Sequence, residues 1–267
     1  MPQLRIINPS PFEAQPQPSS ALLKTTDHLL PFERSIAEGR SRLTRLHAAA
    51  ILQQAMSVHG ESNEEKLTAM MGIFARAPQG DVVEVGTLMG RTAIVLRLLA
   101  DHYDIGNVLT VDPWEEVGAI QHDSPAFVQE MAYAWPPGVL QTGFSINLLA
   151  LGAKRHAHLQ LASTQAHAEY VRTDSLPSLN DHAVAFSHRI AVLHIDANHD
   201  YDQVRNDWQL WGQHLLPGGW VIFDDYVWLH GDGPRRMADS LLAERIFDEA
   251  FACGKALFCR LAPAGIV

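Results

Sequence analysis

Apolar positions give the first outline of this chain. From about Ser35 to Val58 the residues Ile36, Leu43, Leu46, Ala49, Ala50 and Leu52 recur at helical spacing, and Asn63 to Ala77 repeats the pattern behind a cap-like Ser62-Asn63-Glu64-Glu65 start. These spans predict two helices. After Pro78-Gln79-Gly80 the pattern changes to short apolar runs that alternate with helical segments, as in a parallel sheet with crossover helices. The predicted strands are Val82–Val85, Val108–Val111, Leu159–Leu161, Ala191–Ile195 and Trp220–Phe223. Two more, Ala250–Cys253 and Ala256–Leu261, are separated only by Gly254-Lys255, too short for a crossover, and predict an antiparallel hairpin. Ahead of all this, Pro9 to Ser20 carries four prolines and two glutamines, which disfavours regular structure. The chain thus divides into an extended arm over 1–34, N-terminal helices over 35–79 and an α/β domain over 80–267.

Composition narrows the partners. Hydrophobic residues make up 47% and charged residues 19% of the 267, a globular balance with enough chain for a sizeable core. Thirty acidic against twenty basic residues leave a net charge of −10 with no Lys/Arg cluster, so nucleic acid and anionic membrane surfaces are excluded as first choices. A small molecule is the expected partner, and assembly into a homo-oligomer is left open. The first residues lack a basic start with an apolar core, and no apolar run reaches membrane length, which makes a cytoplasmic location the expectation. Cys253 and Cys259 lack the spacing of a zinc site and read as free thiols.

The first predicted strand runs straight into Glu84-Val-Gly86-Thr87-Leu-Met-Gly90-Arg-Thr92 and then an apolar helix. Gly86 would let the backbone turn tightly beside a ligand, and Gly90 opens a helix whose free N–H groups face a polar group. The dinucleotide pattern G-x-G-x-x-G fails, because the positions it needs are Leu88 and Arg91. Asp112 ends the second strand, where a carboxylate can accept hydrogen bonds from ribose hydroxyls. The run resembles the E/D-x-G-x-x-x-G motif of class I S-adenosylmethionine-dependent methyltransferases. That resemblance implies a Rossmann-like, seven-stranded, mostly parallel sheet with an antiparallel C-terminal hairpin behind N-terminal helices. It also implies cofactor contacts from Glu84, Gly86, Thr87, Gly90, Asp112, Asp196 and, beside the adenine, Ser163.

Asp196 ends the fourth strand, and Asp224-Asp225 ends the fifth. Three carboxylates gathered at one sheet edge repel one another unless a cation neutralises them or their pKa values rise, and a hard divalent ion such as Mg²⁺ is the expected solution. These segments resemble the cation-dependent O-methyltransferases of the catechol and caffeoyl-coenzyme A type, and the bacterial macrocin O-methyltransferase and cephalosporin hydroxylase-associated families. The resemblance implies a metal held by Asp196, Asp224 and Asp225, the last standing where the first group has Asn. It puts a general base at position 199, where the first group has Lys and this chain has His199. His199 is therefore read as general base or as a turn residue held by Asp200 or Asp202. The expected activity is methylation of a small-molecule hydroxyl, a sugar or phenol of a secondary metabolite. The competing readings are a metal-independent N- or C-methyltransferase and a non-catalytic S-adenosylmethionine-binding helper.

Overall fold

Every residue of β1, Asp81–Val85, is buried, a pattern that requires a layer of structure on both faces of the strand. The computed structural model, which describes residues 18–115, 120–128, 135–152 and 154–263, supplies both layers. β1 lies in the middle of a parallel sheet with β2 (Val108–Val111), β3 (His156–Leu159), β6 (Ile190–Ile195) and β7 (Leu215–Phe223). The hairpin of β8 (Phe247–Cys253) and β9 (Ala256–Leu261) adds antiparallel to β7, giving the order β3-β2-β1-β6-β7-β9-β8. This is the expected seven-stranded, Rossmann-like methyltransferase sheet. A separate short hairpin, β4 (Ser175–Pro177) with β5 (Ala183–Ala185), precedes β6 and was not predicted.

Strand alternation sorts the core into two faces. Val82, Val108, Val192, Ile222 and Phe258 join the N-terminal helices α1 (Pro18–Ala37), α2 (Arg45–Met56) and α3 (Glu64–Phe74), together with α4 (Arg91–Tyr103). Val83, Leu109, Leu193, Val221 and Leu257 face the other layer, which includes α6 (Ser163–Arg172), α7 (Tyr201–Trp211) and α8 (Gly233–Ala243). A smaller cluster joins α4 to α5 (Pro137–Leu149) through Ile94, Phe144 and Leu148. Among the described residues no helix is long and apolar enough to cross a membrane.

Several sequence expectations are corrected here. The extended arm does not reach residue 34: its first 17 residues lie outside the described part, and from Pro18 the chain is helical. Thr26, Leu30, Glu33, Ile36 and Ala37 recur every three or four residues and are buried, so a tertiary stripe overrides the proline-rich lead. The helix expected over 35–58 is two elements, broken after Ala37 by left-handed Glu38 (φ 49°) and Gly39 (φ 75°) and restarted by the Thr44 cap on His47. The third strand begins at His156, not Leu159. Its two histidines escape an apolar reading, yet Thr110 Oγ1 bonds both His156 Nε2 (2.8 Å) and His158 Nδ1 (3.0 Å), which makes them compatible with a buried strand. Burial lowers both imidazoles to a pKa of about 3, so they stay neutral.

Candidate functional site

The C-terminal edge of the sheet continues its hydrogen-bond ladder one residue past each strand. Asp112 N–H donates to Leu159 (3.2 Å), Gly86 to Val111 (2.8 Å), Asp196 to Val85 (2.8 Å) and Asp224 to Ile195 (3.0 Å). Register alone therefore sets Asp112, Gly86, Asp196 and Asp224 side by side. At Gly86 (φ 88°) a Cβ would lie 2.1 Å from the Asp196 carbonyl oxygen, so only glycine lets the ends of β1 and β6 approach so closely.

A cleft of about 170 Å³ opens at this edge. It is lined by the Gly86-Thr87-Leu88 turn, the His59-Gly60-Glu61-Ser62 loop, Arg91, Thr92 and Asp196. The loop joins α2 to α3 and is held by Arg91, which donates to Val58 (2.9 Å) and Ser62 (2.7 Å) carbonyls. This wall comes from the loop between two of the N-terminal helices. Asp112 organises the turn: Oδ2 accepts from Thr87 N–H (2.8 Å) and Leu88 N–H (3.0 Å), and Oδ1 from Trp114 N–H (2.9 Å). The Thr87 hydroxyl adds a longer contact to Oδ2 (3.4 Å), so the turn takes up most of the carboxylate's acceptor capacity, and Oδ1, with one donor, is the oxygen left to face a ribose hydroxyl. A glycine turn, a half-buried acid on the next strand and an adjoining cleft suit the expected S-adenosylmethionine.

The other expected cofactor contacts fall differently. Gly90 caps α4, and a Cβ there would meet Leu148 Cδ2 at 2.5 Å, so its role is close packing of α5. Ser163 opens α6, with its Oγ accepting from Trp211 Nε1 (3.0 Å). Glu84 is fully buried on β1 beneath the edge, with Oε1 2.9 Å from Nδ1 of His194, its register partner on β6. Burial raises the Glu84 pKa to about 8 and lowers that of His194 to about 3. Both shifts favour the neutral pair, a carboxyl beside an uncharged imidazole, and His194 Nε2 lies 3.6 Å from Asp196 Oδ2.

Asp196 and Asp224 come together as expected, but with Lys66 of α3 between them. Its Nζ donates to Asp224 Oδ2 in a close ion pair and lies 3.7 Å from Asp196 Oδ2; the lysine side chain is 1% exposed. Burial pulls the Lys66 pKa down, but the two carboxylates outweigh it and hold it above its ordinary value. Asp224 responds in the opposite sense. Burial opposes its charge, yet Lys66 and His194 keep its carboxyl below the ordinary range. Burial and the neighbouring Asp224 carboxylate raise the Asp196 carboxyl above its ordinary range. Asp225, at φ 48°, faces His199 Nδ1 (3.5 Å), while His199 Nε2 lies 3.9 Å from Asp196 Oδ1. Donor atoms of His194, Asp196 and Asp224 lie within 4.8 Å of one another, a spacing a divalent ion could use. The set nevertheless fits such an ion poorly, because the Lys66 ammonium already compensates both carboxylates.

Lys66 is the member of this cluster that the sequence reading missed. Only the structure reveals it: α3 is buried at every position from Lys66 to Phe74, so a lysine in it must find an anion. The turn-residue reading of His199 loses its partners. Asp200 instead accepts from His122 N–H (2.8 Å) and Asp123 N–H (2.9 Å), and Asp202 pairs with Arg205. His199 packs instead against the Trp228 ring, with centroids 5.1 Å apart.

Comparison with known proteins bears on the whole arrangement. The family model described as a methyltransferase domain matches residues 83–226, more than half of the chain. No curated protein sequence matches. Among solved structures, the chain is similar to the O-methyltransferase NovP at 19% identity, with 92% of this chain and 100% of that chain covered and a TM-score of 0.51. It is also similar to the calicheamicin methyltransferase CalS11, at 14% identity over 92% of this chain and 94% of that one, TM-score 0.45. At such identities the likeness speaks for the fold alone.

Proposed function

The chain belongs to the S-adenosylmethionine-dependent methyltransferases, the family whose domain spans residues 83–226, and from that premise we propose that it methylates a hydroxyl oxygen of a small molecule. The sugar or phenol of a secondary metabolite is the acceptor class we favour. The observation that carries this reading is the placement of His199 between two carboxylates, Asp196 and Asp225, at the strand ends that adjoin the cleft. A hydroxyl must lose a proton as its oxygen is methylated, so an oxygen acceptor needs a proton acceptor beside it.

When bound, the cofactor supplies an electrophilic methyl group. The protein's share is positioning and proton handling. The Gly86-Thr87-Leu88 turn and Asp112 hold the ribose side, while the His59–Ser62 loop closes the cleft. His199 Nδ1 stands 3.5 Å from Asp225 and Nε2 3.9 Å from Asp196, contacts long enough for one of the nitrogens to turn to an acceptor hydroxyl. Burial weakens proton binding at His199, but Asp196, Asp225 and Asp224 more than offset it and place its pKa above the ordinary value. As neutral base it accepts the proton, and the flanking carboxylates stabilise the imidazolium that results. Trp228, stacked edge-on against the ring, limits its rotation.

The test is a pair of pH–rate profiles, wild type and His199→Ala, at saturating cofactor. The wild-type rate should rise with pH as His199 deprotonates. Its removal should slow turnover about 10²–10⁴-fold near neutrality, with recovery at high pH as the acceptor ionises unaided. Parallel profiles would contradict the base assignment.

A further inference from the structure

The acidic centre carries its own cation, and we propose that the Lys66 ammonium is the resident counter-charge of Asp196 and Asp224, so that divalent ions do not bind there. The inference deepens the reading above, and only its catalytic consequence, methyl transfer without a divalent metal, rests on that reading.

Position carries the argument. Lys66 pairs with Asp224 and stands 3.7 Å from Asp196 with a side chain 1% exposed, so it is a built part of the site rather than a surface lysine folded inward. Its backbone is fixed from two directions. Asn63 Oδ1 caps α3 by accepting from Lys66 N–H at 2.9 Å. Across from it sits the tip of the β8–β9 hairpin, where Gly254 and Lys255 both take positive φ. A Cβ at Gly254 would lie 2.6 Å from Lys66 Cβ and 2.7 Å from its backbone nitrogen, so the tip seats against this residue.

A divalent ion on Asp196 and Asp224 would meet the buried ammonium a few ångströms away. To bind, it would have to displace Lys66 from both carboxylates and leave a desolvated charge unpaired. The remaining acid, Asp225, is turned to His199 at 3.5 Å. Lys66 is thus a positioning residue: it holds Asp224 and one oxygen of Asp196, leaving the other oxygen directed at His199.

Mn²⁺ binding to the full-length, chelator-stripped protein tests this without any acceptor, by calorimetry and by electron paramagnetic resonance. Wild type should show no saturable binding below about 1 mM, whereas Lys66→Ala should gain a site at least about tenfold tighter than that. Adding Asp224→Asn to Lys66→Ala should abolish the gained site. Saturable wild-type binding that Asp224→Asn weakens would overturn the proposal, as would a folded Lys66→Ala protein that gains nothing. If Lys66→Ala does not fold, Lys66→Gln takes its place with the same two outcomes. A failed methylation assay would leave these binding results standing, so the two readings fail separately.

Discussion

Glu84 Oε1 and His194 Nδ1 stand 2.9 Å apart at paired positions of neighbouring central strands, each side chain fully shielded from water. Two ionisable groups in so dry a layer settle their charge by exchanging roles, with the carboxyl raised to about 8 and the imidazole lowered to about 3. In the unfolded chain Glu84 ionises near its ordinary 4.5. Between that value and about 8 the folded state holds the extra proton, so the contribution to stability is fully present below 4.5 and is lost as pH rises through 8. Glu84→Gln cannot ionise, and should flatten this decline, on the order of a few kcal/mol across the window. Denaturant melts at pH 5 and pH 8 measure it; equal slopes in both proteins would refute the protonated-carboxyl assignment.

Asp112 offers a second handle, because it serves the turn as well as the ligand. Asp112→Ala leaves the N–H groups of Thr87, Leu88 and Trp114 without their acceptor, at roughly 1–3 kcal/mol for each one that stays dry. The ligand-free protein should therefore melt lower, and S-adenosylhomocysteine should bind at least about tenfold more weakly by calorimetry. Weaker binding with no change in melting would instead mean that Asp112 touches only the ligand.

How much of this was legible beforehand depends on what each residue needs to be understood. Asp112, Gly86, Asp196 and Asp224 could be placed from the sequence because a parallel sheet brings consecutive strand ends together whatever else the chain does. Lys66 could not be placed that way. Its partner Asp224 is 158 residues distant, and a lysine in a first helical turn behind Glu64 and Glu65 reads as solvated. Only the burial of α3 against the sheet and the hairpin tip turns it inward. The third strand was misplaced for a related reason: His156 and His158 look polar until Thr110 of the neighbouring strand gives each of them a buried hydrogen bond. Ser163 was placed at the correct edge, but its hydroxyl is taken by Trp211, a contact between two helices that no strand-by-strand reading contains.

Whether the edge delivers a methyl group to oxygen is the claim on which the account depends. The direct measurement supplies methyl-labelled S-adenosylmethionine with paired small acceptors that differ only in bearing a hydroxyl or an amine, and locates the label in the product by fragment mass spectrometry. The account predicts label on oxygen in the hydroxyl member, lowered about 10²–10⁴-fold in His199→Ala near neutral pH, and little or none on the amine. Label on nitrogen or carbon, or oxygen transfer unaffected by loss of His199, would contradict it.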